Sequence, residues 1–403
     1  MISSPQQTLV SLLGSSPQAA LDDLGIAFDE SLCDNILTEA SRLGVLPMLY
    51  VNLDKACLLA DFPQPFVERC KESWRRTTLT NLNLAHVCGQ VISLLQAAQI
   101  PIVALKGIYL AHHIYPHSGM RPMGDIDLLL PKADLGKARD ILLQQGYEQM
   151  AEVSYAEIQA EVEIAHHLAP FVKEGSPTIE LHWHIVKPGE GHLVFPVEDL
   201  WRRTVACEIG NVPTLALTNE ATFVHLCMHL SYHHLFAFGL RPLVDIHTMV
   251  SSLGERMDWD EIVACGDAWQ VRRGICLTLA VVHRLFGTQI PAQFREAEDI
   301  PEEMLHLVVE QIFADGADSH NLTLLAKLYS PDTRMERIKS VLKRLFVQPY
   351  PLFSWKYLSF VVRRAARLRS LYQGDLLRLY GPQKDRALAS QAARYAKIYR
   401  WLQ

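Results

Sequence analysis

The stretch IPIVALKGIYLAHHIYPHSGMRPMGDIDLLL, residues 100–130, decides the fold of this chain, because helical periodicity gives way within it to strand-like runs. Residues 100–105 form a short apolar run rich in β-branched residues, and Lys106-Gly107 ends this run before helical spacing resumes. Residues 125–130 predict a second buried strand. The stretch therefore predicts a strand, a tight turn, a helix, a loop and another strand in succession.

The sequence on either side of this stretch predicts mainly helices. Apolar residues recur at helical spacing over 30–43 and 65–98, and again from Thr218 to about position 329. Two further strands are predicted over 161–173 and 178–186. We therefore expect an α+β protein in which a small mixed-sheet core is embedded between helical N-terminal and C-terminal regions. The expected divisions are a helical region over 1–98, an α/β core over 99–215, a helical domain over 216–330 and a basic helical tail over 331–403.

Charge is distributed unevenly along the 403 residues, although the net charge is only −6. Residues 331–403 carry 16 Lys and Arg against 4 Asp and Glu, a net of +12, which leaves 22 against 40, a net of −18, for residues 1–330. We expect the basic tail to pack on the acidic body, or to dock on a membrane surface or a protein partner. Nucleic acid is the less favoured partner, because aromatic and basic residues are segregated within 350–372 rather than interleaved.

The composition excludes several classes of protein. With 49% hydrophobic and 20% charged residues, the chain does not have a disordered composition, and its eight scattered cysteines form neither a disulfide framework nor a zinc pattern. The N-terminus lacks the basic segment of a secretory signal, and the uncharged stretch 77–105 holds too many polar residues for a lipid-spanning helix. A cytoplasmic protein is expected, with peripheral attachment to the membrane as the alternative.

Acidic residues and histidines alternate along two of the predicted strands. Side chains two positions apart share one face of a strand, so Asp125 and Asp127 project together. The same alternation places Glu180, His182 and His184 on one face of a later strand. Two carboxylates held close together repel each other unless a cation or a proton lies between them, and a hard divalent metal ion is the simplest occupant. If the two strands are neighbours, Glu180 supplies a third carboxylate.

Features that suit a phosphate group precede these carboxylates. Lys106-Gly107 lies where a strand turns into a helix, and the N-terminus of a helix offers free backbone N–H groups to an anion. Gly107 permits close approach of the backbone, and Lys106 or Arg121 can neutralise phosphate charge. This order of features is the one that metal-assisted phosphoryl or nucleotidyl transfer requires.

The segments Leu105-Lys-Gly107, RPMGDIDLL (121–129) and ELHW (180–183) resemble the uncharacterised bacterial nucleotidyltransferase family of the DNA polymerase β-like superfamily. The resemblance extends from the N-terminal helices to about residue 255. In that superfamily a glycine-containing turn holds the triphosphate, and an Asp-x-Asp pair with a third carboxylate binds two magnesium ions. The resemblance implies that Lys106 and Gly107, with Arg121, bind the nucleotide, and that Asp125, Asp127 and Glu180 are the catalytic metal ligands.

Histidines are frequent, with 17 in the chain, and one predicted helix carries His225, His229 and His233 at successive turns. This spacing suits a transition metal, and together with Asp245 it predicts a metallohydrolase site as an alternative. The zinc-hydrolase pattern His-Glu-x-x-His is not matched, because Leu226 follows His225. We therefore favour a role in lining a substrate cleft. The expected lining residues are His182, His184, His225, His229 and Asp245.

These features predict a nucleotidyltransferase that uses two Mg²⁺ ions, with Mn²⁺ as the alternative ion. It would move a nucleoside monophosphate from an NTP such as ATP to an unidentified acceptor. The competing hypothesis is a non-catalytic binding or adaptor protein on the same scaffold. Three mutually repelling acids argue against that hypothesis, since a binding scaffold has no need to maintain them.

Overall fold

The structure of the protein is a computed structural model that describes residues 4–24, 28–150, 165–186, 195–314, 355, 357–359, 361–362 and 386–403. The predictions for 161–164 and 315–330 lie outside the described residues, as do those for most of the basic tail. The described positions between 355 and 362 are helical, and so is the segment Arg386–Leu402.

Helices make up most of the described residues. Those before the sheet are α1 (Ser4–Leu13), α2 (Pro17–Leu24), α3 (Glu30–Arg42), α4 (Leu46–Lys55) and α5 (Gln64–Ala97). Those among the strands are α6 (Lys106–Tyr109), α7 (Leu135–Gln144) and α8 (Val197–Arg202). Those after the sheet are α9 (Asn219–Met228), α10 (Arg241–Leu253), α11 (Trp259–Ala268), α12 (Arg272–Phe286), α13 (Glu302–Ile312) and α14 (Arg386–Leu402). None of the described helices combines the length and the apolar character needed to cross a membrane.

Polar residues begin α3 and α9 where the sequence predicts helix starts. The Asp29 side chain accepts a hydrogen bond from the Leu32 N–H at 2.8 Å, and Thr218 Oγ1 accepts one from the Ala221 N–H at 3.2 Å. Each side chain thereby satisfies one of the N–H groups that the first turn of a helix leaves without a partner. The two predicted helix starts are confirmed.

The strands found among the described residues form one seven-stranded mixed sheet in the order β3-β4-β5-β2-β1-β7-β6. The strands are β1 (Val103–Ala104), β2 (Asp125–Leu129), β3 (Glu148–Gln149), β4 (Phe171–Val172), β5 (Thr178–His182), β6 (Thr204–Ile209) and β7 (Val212–Leu217). The pairs β2–β5 and β1–β7 are parallel, and the other neighbours are antiparallel. This arrangement confirms the predicted α+β class with a small mixed sheet between helical regions.

The hairpin formed by β6 and β7 was not predicted, although its turn carries a sequence signal. Gly210 and Asn211 have positive φ values of 58° and 63°, as the two central residues of a type I′ turn do. A Gly-Asn pair between two extended runs is therefore the signal that would have found it. The strand β7 ends at Leu217, two residues beyond the limit expected for the core.

The two faces of the sheet pack against different helices. Ile126 and Leu128 lie in a core shared with α5 and α7, whereas Leu129 lies in a larger core that includes residues of α9 and α10. Because alternate residues of a strand share a face, Asp125 and Asp127 turn to the same side as Leu129. The predicted carboxylates therefore face the C-terminal helices.

Candidate active site

The turn after β1 is shaped by its glycine. Lys106, the first residue of α6, has a φ of +47°, and α6 continues directly into a π-helical segment, Leu110–Ile114. A Cβ at Gly107 would lie 2.7 Å from Arg121 Nη1 and 3.1 Å from Met123 Sδ, so a side chain there would displace the guanidinium. This close packing brings the turn against β2, where Lys106 Nζ lies 3.4 Å from Asp127 Oδ2.

Asp127 is the centre of the candidate site. In the parallel ladder of β2 and β5 it lies opposite Glu180, and Asp125 lies opposite Thr178. His182 Nε2 lies 2.8 Å from Asp127 Oδ1 and 3.4 Å from Glu180 Oε2. Asp127 and His182 are both buried, with side chains 7% and 1% exposed. Each carboxylate oxygen of Asp127 therefore lies near a different basic side chain.

The charges of Asp127 and His182 stabilise each other. Burial raises the pKa of Asp127, but the Lys106 charge and the hydrogen bond from His182 outweigh burial and hold this pKa well below its usual range. Burial likewise lowers the pKa of His182, but its hydrogen bonds to Asp127 and Glu180 raise this pKa above the ordinary value. Asp127 is therefore ionised at neutral pH, and its negative charge favours the protonated imidazole.

Asp125 has a different environment from Asp127, although only one residue separates them. It lies at the solvent-exposed start of β2, where partial loss of hydration and the charges of Asp127 and Glu180 raise its pKa. Burial also raises the pKa of Glu180, but the hydrogen bond from His182 more than offsets this effect and lowers the pKa overall. The site thus holds two carboxylates that ionise readily and one that retains a proton more easily.

The side chains of Asp127, Glu180 and His182 fit a divalent metal ion that takes the place of the proton on His182 Nε2, since an imidazole binds a metal ion in its neutral form. One ligand atom from each lies within 4.8 Å of the other two. Atoms bound to one ion at about 2.0 to 2.3 Å lie roughly 3 to 4 Å apart, which small side-chain shifts would reach here. Within the described part of the chain, this is the one group of three acids, histidines or cysteines close enough to share an ion. Sequence reasoning placed His182 in the substrate cleft and did not consider it as a candidate metal ligand.

Arg121 and Asp245 form a buried ion pair. Arg121 Nε and Nη2 donate to Asp245 Oδ1 and Oδ2, both at 2.8 Å, and the Tyr115 hydroxyl donates to Oδ1 at 2.7 Å. The side chains of Arg121 and Asp245 are only 8% and 1% exposed. The guanidinium predicted to bind phosphate is thus held by a carboxylate predicted to line the cleft.

The histidines predicted on one helix divide between α9 and a π-helical segment, His229–His233. The rings of His225 and His229 lie 6.1 Å apart, and burial together with the Lys106 charge lowers the pKa of each well below the usual value. Neither joins the metal-binding group, and both oxygens of Asp245 contact Arg121. The described residues therefore do not assemble the centre expected for a metallohydrolase.

The ring of His184 bonds to main-chain groups and not to the carboxylates of the site. Its Nε2 lies 2.9 Å from the Phe195 carbonyl oxygen, and its Nδ1 accepts a hydrogen bond from the Val186 N–H at 3.0 Å. Both ring nitrogens are thus used by the backbone. Of the five predicted lining residues, His182 is the one that contacts Asp127 and Glu180 directly.

Two residues near the site were not predicted from the sequence. Tyr115 contacts Asp245, and Arg241 lies close enough to Asp125 to lower the pKa of that carboxyl. Tyr115 and Asp245 are 130 positions apart in the chain, so no local pattern marks this contact. The packing of α10 against the loop before β2 and against the residues that follow the π-helical segment 110–114 creates both interactions.

One comparison with known proteins matches most of the chain to a family model. A family model described as an uncharacterised nucleotidyltransferase matches residues 29–287, which include the sheet, the candidate metal ligands and helices α9 to α12. No curated protein and no solved structure matches the chain.

Proposed function

The chain belongs to the uncharacterised nucleotidyltransferase family, and we propose that it transfers a nucleoside monophosphate from an NTP to an acceptor in a reaction that needs a divalent metal ion. The observation that carries this proposal is the parallel register that sets Asp127 beside Glu180. His182 contacts the Asp127 carboxylate in the same site. Neighbouring carboxylates beside a lysine and a glycine turn are the parts that metal-assisted phosphoryl chemistry requires.

Asp127, Glu180 and His182 would hold the metal ion. When bound, such an ion polarises the phosphoryl oxygens and favours ionisation of the acceptor. Carboxylate oxygens suit both Mg²⁺ and Mn²⁺, and the imidazole nitrogen makes Mn²⁺ the better fit. The assignment of Asp125 as a further metal ligand, and of a second ion, stays a prediction.

The other residues of the site would act on the substrates. In the transfer, the acceptor oxygen bonds to the α-phosphorus, and the bond from that phosphorus to the bridging oxygen of pyrophosphate breaks. The raised pKa and exposed position of Asp125 suit a carboxylate that takes the acceptor proton. Lys106 and the backbone at Gly107 would offset the negative charge that develops on the pyrophosphate.

Label transfer from an α-³²P-labelled NTP tests this proposal. The native protein and Asp127→Asn are incubated with a lysate and Mg²⁺ or Mn²⁺, with Asp140→Asn as the matched control. Asp140 lies on α7 and its side chain is 64% exposed, so the control removes a carboxylate outside the site. We expect Asp127→Asn to reduce labelling at least 100-fold and Asp140→Asn to leave it unchanged. Equal labelling by Asp127→Asn and the native protein would refute the proposal.

A thermal-shift series separates this function from that of a binding scaffold. Mn²⁺ with an NTP should raise the Tm of the native protein, because ligands that bind only the folded state stabilise it. Asp127→Asn should lose the shift. A scaffold without catalytic activity would show the same shift with no transfer of label under any acceptor or metal condition.

A further inference from the structure

Arg241 is a cation at the edge of the candidate site that lacks an acidic partner. It is the first residue of α10 and is half-buried, and its Nη1 donates to the Pro122 carbonyl oxygen at 3.1 Å. Throughout the described ranges, no carboxylate forms an ion pair with it. Pro122 precedes Asp125 by three residues, so the guanidinium lies at the entrance to β2.

Asp245, the buried acid on the same helix as Arg241, already pairs with Arg121. Both oxygens of Asp245 accept hydrogen bonds from that guanidinium, and Tyr115 supplies a third donor. One buried acid thus neutralises one of two neighbouring arginines. The charge of Arg241 is left without a contacting counter-charge.

This excess charge favours binding of an anion. Burial and the neighbouring Arg121 charge lower the pKa of Arg241, so its charged form is disfavoured by its surroundings. A guanidinium nevertheless remains protonated in proteins, and a partly desolvated cation is stabilised when an anion contacts it. The charges of Asp245 and Asp125 raise the pKa of Arg241 through space, but neither carboxylate contacts its guanidinium.

The position of Arg241 also suits the nucleotide. Arg121 Nη1 packs against Gly107, and the carbonyl that Arg241 contacts belongs to the residue after Arg121. The lysine-glycine turn and Arg241 therefore both adjoin Arg121. The N-terminus of α10 adds its positive dipole end, since Leu240 provides no side-chain cap.

We propose that Arg241 binds the polyphosphate of the NTP, the role that the sequence assigns to Arg121. This inference rests on the proposed function. A guanidinium offers planar, paired N–H donors to phosphate oxygens, and Arg241 commits only one of its nitrogens to the protein in the described structure. Arg121 instead holds α10 to the loop before β2 through Asp245.

Binding of inorganic tripolyphosphate by calorimetry, with EDTA present, tests Arg241 without any catalytic step. The variants are Arg241→Gln and Arg241→Lys, and the control is Arg272→Gln. Arg272 is likewise the first residue of a long helix without a side-chain cap, but it pairs with Glu296 at 2.5 Å and Asp267 at 3.1 Å. We expect at least a tenfold loss of affinity in Arg241→Gln, a smaller loss in Arg241→Lys, and native affinity in Arg272→Gln.

Two further measurements fix the source of the anion and the role of the side chain. An NTP should displace tripolyphosphate from the native protein. If the site bound only a phosphorylated acceptor, an NTP would not displace it. Without ligand, the Tm of Arg241→Gln should equal or exceed the native Tm, because one of two neighbouring like charges is removed. A lower Tm with unchanged affinity would assign Arg241 a structural role and overturn the inference.

The outcomes also separate this inference from the proposed function. Native affinity in Arg241→Gln, or no binding of tripolyphosphate by the native protein, would overturn the inference while leaving the label-transfer test of Asp127→Asn unaffected. A third outcome is possible, in which tripolyphosphate binding depends on Arg241 but label transfer does not depend on Asp127. That result would support the anion site and refute the proposed transferase activity.

Discussion

Replacing Asp245 by asparagine should destabilise the protein without acting primarily on substrate binding. The carboxylate accepts two hydrogen bonds from Arg121 and one from Tyr115, all between 2.7 and 2.8 Å. An amide at this position keeps one oxygen acceptor but presents an N–H group to one of the Arg121 donors. The substitution therefore leaves a buried guanidinium with a mispaired nitrogen and no counter-charge.

The size of the effect follows from the burial of the pair. Removing one partner of a buried ion pair costs about 3 to 5 kcal/mol, and these side chains are 8% and 1% exposed. With a urea dependence of about 3 kcal/mol per molar, the unfolding midpoint should fall by roughly 1 to 1.7 M. Asp267→Asn is the matched control, because Asp267 pairs with Arg272 at 3.1 Å with its side chain 55% exposed. That exposed pair should contribute at most about 1 kcal/mol.

Urea unfolding followed by circular dichroism measures both variants. The double variant Arg121→Met with Asp245→Leu should regain most of the lost stability, since an apolar pair of similar size often replaces a buried ion pair without loss. An unchanged midpoint in Asp245→Asn, combined with weaker binding of NTP, would refute this reasoning. Asp245 would then line the substrate cleft, as the sequence predicts.

Three further predictions concern backbone space and protonation. Gly107→Ala should lower both the Tm and the affinity for tripolyphosphate, because the added Cβ would lie 2.7 Å from Arg121 Nη1. An unchanged Tm and an unchanged affinity would show that the turn accommodates a methyl group. Gly210→Ala should lower the Tm by more than Gly107→Ala does, because the added Cβ would overlap the Ala85 carbonyl oxygen and the backbone has a φ of +58°. An equal or smaller fall in Tm would contradict this ranking. Burial lowers the pKa of His247 to about 4. Between this pH and about 6.5 the unfolded chain therefore binds more protons than the folded protein does. The free energy of unfolding should fall as the pH drops through this window. Urea unfolding from pH 7 to 4 should show a smaller decline in His247→Asn than in the native protein, and equal declines would exclude His247 as a cause.

The local parts of the site could be predicted from the sequence because they follow from strand periodicity. Alternation alone places Asp125 with Asp127, and Glu180 with His182, on shared faces. Whether the two strands are neighbours depends on a parallel pairing across more than 50 residues, for which the sequence holds no local signal. The structure shows that register, and it sets Asp127 opposite Glu180.

Contacts between the sheet and the C-terminal helices could not be predicted in the same way. Arg121 and Asp245 are 124 positions apart, and each has a plausible function when considered alone. Their partnership depends on how α10 packs against the loop before β2. The sequence therefore identified Arg121 and Asp245 as residues near the site, but it gave no sign that they pair with each other and none of the position of Arg241.

The two halves of the candidate site are held together by different forces, and this has a consequence for binding. Asp127, Glu180 and His182 lie on neighbouring strands whose spacing is set by main-chain hydrogen bonds. Arg241 belongs to α10, which is held near β2 by the pair of Arg121 with Asp245 and by its apolar core. Loosening α10 should therefore weaken anion binding before it affects the metal ligands. Leu243→Ala loosens α10 without changing any charge, because the Leu243 side chain is fully buried in the larger core. In this variant we expect tripolyphosphate affinity to fall while the Mn²⁺-induced rise in Tm is retained, and loss of both together would mean that sheet and helix move as one unit.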